Sequence, residues 1–193
     1  MKKIGLTGGI GAGKTFVAEV FQRLGYAIFS ADFHAKKCMQ ESEELKTQIC
    51  KAFGNDIYEK GKLQKKKLAD IVFSDSKKLQ ELNNLVHPFV HIAFDKWLKK
   101  QDSEYVIKEA AILFEGGANK GLDAVICVSS PMELRIKRVM ERDKCSRERV
   151  MKRMVMQMPQ ETKEKLSDFV IVNTENEKIL PQILSICKKI ELL

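Results

Sequence analysis

Near the start of the chain, Gly8-Gly9-Ile10-Gly11-Ala12-Gly13-Lys14-Thr15 has the residue types and order needed to hold a row of phosphates. Glycines allow backbone angles that other residues resist. Several main-chain N–H groups can then turn inward toward phosphate oxygens, and a helix starting here adds its positive end at the same spot. Lys14 would bridge the terminal phosphates of a nucleoside triphosphate, and the Thr15 hydroxyl would hold Mg²⁺. The pattern G-x-x-x-x-G-K-[ST] is matched in full, with a short apolar run before it and a helix-periodic run after it. A bare glycine-rich turn would not require that setting. The motif specifies nucleotide binding and leaves open what happens to the phosphate.

Transfer of a phosphoryl group needs a residue that orients the attacking hydroxyl, cations over the moving group, and a cover that excludes water. Asp32 follows the second strand-like run. Ligands of a parallel sheet gather beyond the carboxyl ends of its strands. Asp32 would thus lie near the glycine loop and could accept a hydroxyl proton. The competing reading makes Asp32 the N-cap of the next helix. Arg135, Arg138 and Arg142 fall at i, i+3 and i+7, on one helical face. Arg138 and Arg142 could clamp phosphates with paired N–H bonds, or the face could be solvated and paired with Glu133 and Glu141. Arg147, Arg149 and Arg153 continue a polar helical stretch of the kind a closing lid requires. His87 and His91 stand at i, i+4 around Pro88. No Glu lies between them as in H-E-x-x-H, so His87 reads as a substrate-positioning or helix-capping residue rather than a metal ligand.

Several classes are disfavoured. A guanine-reading N-K-x-D is absent, because Asn119-Lys120-Gly121-Leu122-Asp123 is one residue too long and precedes a strand-like run. There is no D-x-x-G. The 193 residues suit one domain with an insertion, not a large nucleic-acid-acting or transport ATPase. The net charge of +8 fits either nucleic acid or small polyphosphate ligands. No basic stripe with interleaved aromatics is present, so no nucleic-acid partner is expected. The five cysteines form no C-x-x-C pair and read as free thiols. No apolar run approaches the ~20 residues needed to span a bilayer, and Met1 to Thr7 reads as a core strand rather than a leader. A cytoplasmic protein without membrane contact is the expectation.

These groups must be positioned by alternating elements. Strands are expected at residues 3–7, 26–29, 105–107, 123–128 and 169–172. Helices are expected at 14–24, from Pro131 in a first turn to 143, at 147–157 and at 175–193. Residues 33–101 are rich in Lys, Glu, Gln and Leu and mostly helical by pattern, broken by a turn at Glu59-Lys60-Gly61 and a start or kink at Pro88. That block is too long for a crossover helix and implies an inserted helical subregion. The fold class is therefore α/β: a three-layer α/β/α phosphate-loop core with a parallel sheet, a helical insertion and a helical lid. The expected division is core at 1–32, 103–134 and 168–193, insertion at 33–102 and lid at 135–167.

The ordered landmarks resemble the dephospho-CoA kinase family. They are the opening Gly5-Leu6-Thr7 with its loop, Ser30-Ala31-Asp32, Gly61-Lys62-Leu63-Gln64-Lys65, His87-Pro88, Ala111-Ile112-Leu113-Phe114-Glu115, Arg138 with Arg142, Arg153 with Gln157, and Ser167-Asp168 before Asn173. Three positions depart from the family pattern: Ser30 stands for Asp, Lys65 for Arg and Ala111 for Pro. The resemblance implies phosphorylation of the ribose 3′-hydroxyl of dephospho-CoA by ATP with Mg²⁺, giving coenzyme A and ADP. It implies Asp32, Lys14 and Arg138 as catalytic residues. Gly9, Gly11, Ala12, Gly13, Lys14, Thr15, Phe16, Arg138 and Arg142 would bind ATP. Asp32, Lys65, His87 and Glu115 would bind the acceptor, and Thr15 the metal. ATP and dephospho-CoA are the expected partners of a monomer. Another small-molecule or nucleotide kinase, or a nucleic-acid-binding ATPase, is the alternative.

Overall fold

The apolar run at the N-terminus forms the middle strand of a five-stranded sheet in the computed structural model, which describes residues 1–191. The strands are β1 (Lys2–Thr7), β2 (Ala27–Ser30), β5 (Tyr105–Glu109), β6 (Ala124–Ser129) and β7 (Phe169–Val172), in the spatial order β2-β5-β1-β6-β7. β1 runs parallel to β5 and β6, and β6 parallel to β7. The near-continuous apolar strands reflect a sheet covered on both faces. Ile4, Leu6, Ile107, Ile126, Val128 and Ile171 are buried with Val17 and Phe21 of α1 (Lys14–Arg23) and Ile183 and Cys187 of α9 (Ile179–Glu191). Asp123 and Asp168 accept hydrogen bonds from Lys3 N and Val125 N, at 2.6 and 2.7 Å, and so satisfy amides at the strand starts. The chain begins its last helix later than expected, at Ile179. The expected end at Leu193 lies outside the described residues.

The chain divides into two compact units, residues 1–29 with the chain from 102 onward, and Ser30–Gln101. The second unit holds α2 (Ala31–Glu41), α3 (Glu43–Phe53), a 3₁₀ turn at Asn55–Ile57, α4 (Lys65–Val72) and α5 (Ser76–Leu98). A two-residue turn at Lys60-Gly61 joins the short strands β3 (Tyr58–Glu59) and β4 (Lys62–Leu63). α5 packs against α2, α3 and α4, with Leu82, Val86, Val90 and Phe94 buried along one face. Pro88 neither starts a helix nor ends one: it lies inside the 23-residue α5. His87 is consequently mid-helix, and a capping role for it is ruled out. Proline there removes one bond to the carbonyl four residues back, and packing along the apolar face holds the helix together.

Three helices follow β6. They are α6 (Met132–Asp143), α7 (Arg147–Val155) and α8 (Gln160–Lys165), the last without an expected counterpart. Pro131 is the N-cap of α6 rather than part of its first turn. Ile136 and Val139 of α6 and Val150 of α7 form a second apolar cluster with Ile10 of the glycine loop. The loop's one large side chain thus anchors it to the arginine-bearing helices.

Candidate active site

The glycine loop leaves the C-terminal end of β1 and enters α1 directly. Gly13 is the N-cap of α1, with φ 93° and no side chain to cap the first amides. Those amides remain for an anion. A Cβ at Gly13 would overlap Asn173 Nδ2, and one at Gly11, where φ is 80°, would overlap the Arg135 carbonyl oxygen. Both sites therefore demand glycine twice over, for backbone angle and for close approach. The buried Lys14 folds its Nζ onto the loop, donating to Gly8 O at 3.0 Å and Gly9 O at 3.4 Å.

Side chains from distant segments brace this loop. Asn173 Nδ2, just past β7, donates to Ala12 O at 2.8 Å. Arg138 Nη1 donates to Ser130 Oγ at 3.2 Å and to Asn173 O at 3.3 Å. That places the guanidinium near Gly13, where an added Cβ would lie 3.9 Å from Nη1. Gln157 Oε1 accepts from Ile10 N and Gln160 Oε1 from Gly9 N, each at 2.9 Å. These two amides are taken, and Ala12 N donates to Gly9 O at 3.1 Å, which leaves Gly11 and the first turn of α1 to meet phosphates. Gln160 Nε2 in turn donates to Val128 O at 3.1 Å and Glu164 Oε1 at 3.0 Å. The segment carrying both glutamines is itself held. Lys163 is fully buried, and its Nζ donates to Glu115 Oε1 at 2.6 Å and Ala111 O at 2.7 Å. The same Glu115 oxygen accepts from Met158 N at 2.9 Å.

The structure brings Gly9, Gly11, Ala12, Gly13, Lys14 and Arg138 together in one unit. Thr15 and Phe16 follow in the first turn of α1 and are exposed. Arg142 does not join Arg138. Its Nε and Nη2 fork onto Asp143 at 2.7 and 3.0 Å, and Arg153 Nη1 reaches the same carboxylate at 2.6 Å. The two arginines, Arg142 foremost, hold the Asp143 carboxyl well below the usual carboxylate range. Glu133, expected to pair with the α6 arginines, instead binds Arg147 of α7 through two bonds at 2.6 and 2.7 Å. Arg135 leaves the expected solvated face altogether and is buried.

Asp32, Lys65 and His87 belong to the other unit. Ser30, not Asp32, caps α2, its Oγ accepting from Phe33 N at 3.4 Å. The capping reading of Asp32 is thereby excluded. It sits exposed at the second position of the helix. Lys65 is exposed at the start of α4, and His87 is half-buried in α5.

Sequence reasoning missed Arg135's burial, Gln160, Lys163 and Glu109. Glu109 is a buried carboxylate at the C-terminal end of β5, paired in register with Leu6 one residue before the end of β1. A charged Lys-Glu step inside an apolar strand was its available signal. Among the described residues, no group of three or more His, Cys, Asp or Glu could hold a metal ion. Mg²⁺ at a phosphoryl-transfer site is commonly held by one or two protein oxygens together with phosphates and water. Thr15, at the mouth of α1, and Glu109, at the neighbouring strand end, are the residues that would supply those oxygens.

A family model described as dephospho-CoA kinase matches residues 2–178. A Bacteroides fragilis dephospho-CoA kinase is 35% identical over 185 residues, covering 95% of this chain and 90% of its own. One from Fusobacterium nucleatum is 37% identical and covers 97% of each chain. The solved Campylobacter jejuni dephospho-CoA kinase is 31% identical, with a TM-score of 0.68 over 98% of each chain. The Thermus thermophilus protein TT1252 superimposes with a TM-score of 0.84 at 34% identity, over 97% of this chain and 96% of its own. A Bacteroides thetaiotaomicron shikimate kinase, at 13% identity and a TM-score of 0.54, shares the fold. With a phosphate loop braced in this way and a match along nearly its whole length, the chain belongs to the dephospho-CoA kinase family.

Proposed function

We propose that this chain transfers the γ-phosphoryl group of ATP to the ribose 3′-hydroxyl of dephospho-CoA, the last step of coenzyme A synthesis. The substrate oxygen attacks the γ-phosphorus, the bond to the β-phosphate oxygen breaks, and ADP leaves with that oxygen. The hydroxyl proton goes to the Asp32 carboxylate. The observation that carries this reading is the uncapped start of α1 behind a buried lysine, within a chain of this family.

The amides of Gly11 and of Gly13 to Phe16 hold the phosphates, Lys14 neutralises the terminal ones, and Arg138 closes over the nucleotide from α6. Arg142 joins it on leaving Asp143. Thr15 and Glu109 would hold Mg²⁺, which when bound spreads the charge of the β- and γ-phosphates. Ser30 caps α2 and thereby frees Asp32 for the acceptor. Residues 33–102, with Lys65 and His87, bind dephospho-CoA together with Glu115, and residues 135–167 form the lid. The enzyme works as a cytoplasmic monomer.

The test is ADP release from Mg-ATP with dephospho-CoA, with adenosine, AMP and gluconate as other acceptors. Turnover confined to dephospho-CoA, with coenzyme A as product, is expected. Turnover on another acceptor alone would overturn the substrate assignment, and no turnover on any acceptor would overturn the kinase reading.

A further inference from the structure

Arg135 is only 7% exposed, and its guanidinium lies against Gly9. A Cβ added to Gly9 would fall 2.8 Å from Nη1, 2.9 Å from Cζ and 3.0 Å from Nη2. Nη1 donates to Gln160 Oε1 at 3.1 Å, the oxygen that also accepts Gly9 N–H at 2.9 Å. Nε is buried with no hydrogen-bond partner. Among the described residues, no carboxylate lies within ion-pair distance of this side chain. Its burial pushes the guanidinium below its ordinary value, offset by the more distant Glu161 and Glu164. A guanidinium stays protonated at neutral pH all the same.

A buried cation without a partner destabilises a fold unless something pairs it. The neighbouring Gln160 accepts one of the five N–H groups of the guanidinium, and it is neutral. The anions that reach this loop are the phosphates of a nucleotide. Charges interact more strongly across a dry loop than through water.

We propose that Arg135 is a buried counter-charge for the β- and γ-phosphates of ATP, acting across the Gly9 backbone, with Gln160 as the residue that orients it. This rests on the reading of the loop as an ATP site and adds a determinant of triphosphate affinity to it. Arg135 is a positioning residue for charge, not a group that touches the reacting atoms.

The test is calorimetric binding of Mg-ATP, Mg-ADP and AMP to the whole chain, with melting temperatures of the free protein, for Arg135→Gln, Arg135→Met and Arg135→Lys. The neutral variants are expected to weaken ATP about tenfold and AMP less than about twofold. Their free-state melting temperature holds or rises, because an unpaired buried charge has gone. Arg135→Lys keeps ATP within about threefold. Unchanged ATP affinity in the neutral variants would overturn the proposal. So would a fall in free-state stability with all three nucleotides weakened alike, or failure of both neutral variants to fold, since each marks a structural strut. None of these measurements needs an acceptor, so failure to phosphorylate dephospho-CoA would leave the result intact. Wild-type protein that binds no ATP would instead overturn the functional reading beneath it.

Discussion

Asp32 gains its significance from its neighbour. Ser30 supplies the cap of α2, so the carboxylate two residues on is not engaged with the helix's first amides. It sits where a negative charge is favoured by the helix dipole. If it accepts the 3′-hydroxyl proton, Asp32→Asn is expected to leave ATP affinity within about twofold while kcat falls by about 10²–10⁴. A loss of only a few-fold, measured by steady-state turnover alongside ATP binding, would reject the assignment. Lys14→Ala is expected to remove both nucleotide binding and turnover. Sequence singles out these two residues because each sits in a local pattern, a complete loop motif or a strand end. It does not single out Arg135. Spacing alone places it with Arg138 and Arg142, but a helical face is wider than one environment. Only the packing of α6 against the loop buries the first arginine and leaves the third with Asp143.

At the scale of elements, α7 and α8 are fastened to the rest by few side chains. Lys163 is fully buried and Glu115 about one-fifth exposed, and together they hold the turn that presents Gln157 and Gln160 to the loop. Removing one partner of a buried pair costs roughly 3–5 kcal/mol, and partial exposure of Glu115 moves this toward the lower end. Lys163→Met is therefore expected to lower stability in denaturant titration by that amount and to weaken ATP, through the loosened glutamines. A milder clasp joins α6 to α7 through Asp143, whose carboxyl is depressed by Arg142 and then Arg153. A depressed carboxyl contributes stability that is present above its unfolded value, about pH 3.9, and lost as pH falls toward the folded one. Asp143→Asn is expected to flatten that acid-side slope in pH-dependent unfolding, by about 1 kcal/mol or less because the clasp is partly solvated. The strands, α1 and the inserted helices follow from periodicity. α8 and the passage through Pro88 do not. A six-residue helix carries too little pattern to read, and the apolar face of α5 overrides a proline's local preference.

For the whole molecule the salient quantity is the net charge of +8. On sequence alone it permitted nucleic acid as well as small polyphosphates. Two of the cations the structure buries, Lys14 in the phosphate loop and Arg135 of α6 against Gly9, lie at that loop, which fits the second. The remaining basic charge is then a field that draws anionic substrates in, and fields of exposed charges are screened by salt. The screening length shrinks from about 30 Å at 0.01 M to about 8 Å at 0.15 M. Raising salt across that range is expected to lower kcat/KM for ATP and for dephospho-CoA by several-fold while kcat holds, because the buried contacts that operate in the bound state are screened far less. A nucleic-acid protein would behave differently. Its binding to duplex DNA would fall linearly on a log–log plot, with a slope near the number of phosphates neutralised. The comparison is direct: turnover at each salt concentration, and DNA binding at the same concentrations. Salt-sensitive KM with negligible DNA binding supports substrate steering. Micromolar DNA binding with a steep slope, and a salt-insensitive KM, would instead assign the surface charge to a polymer and leave the small-substrate site to work without steering.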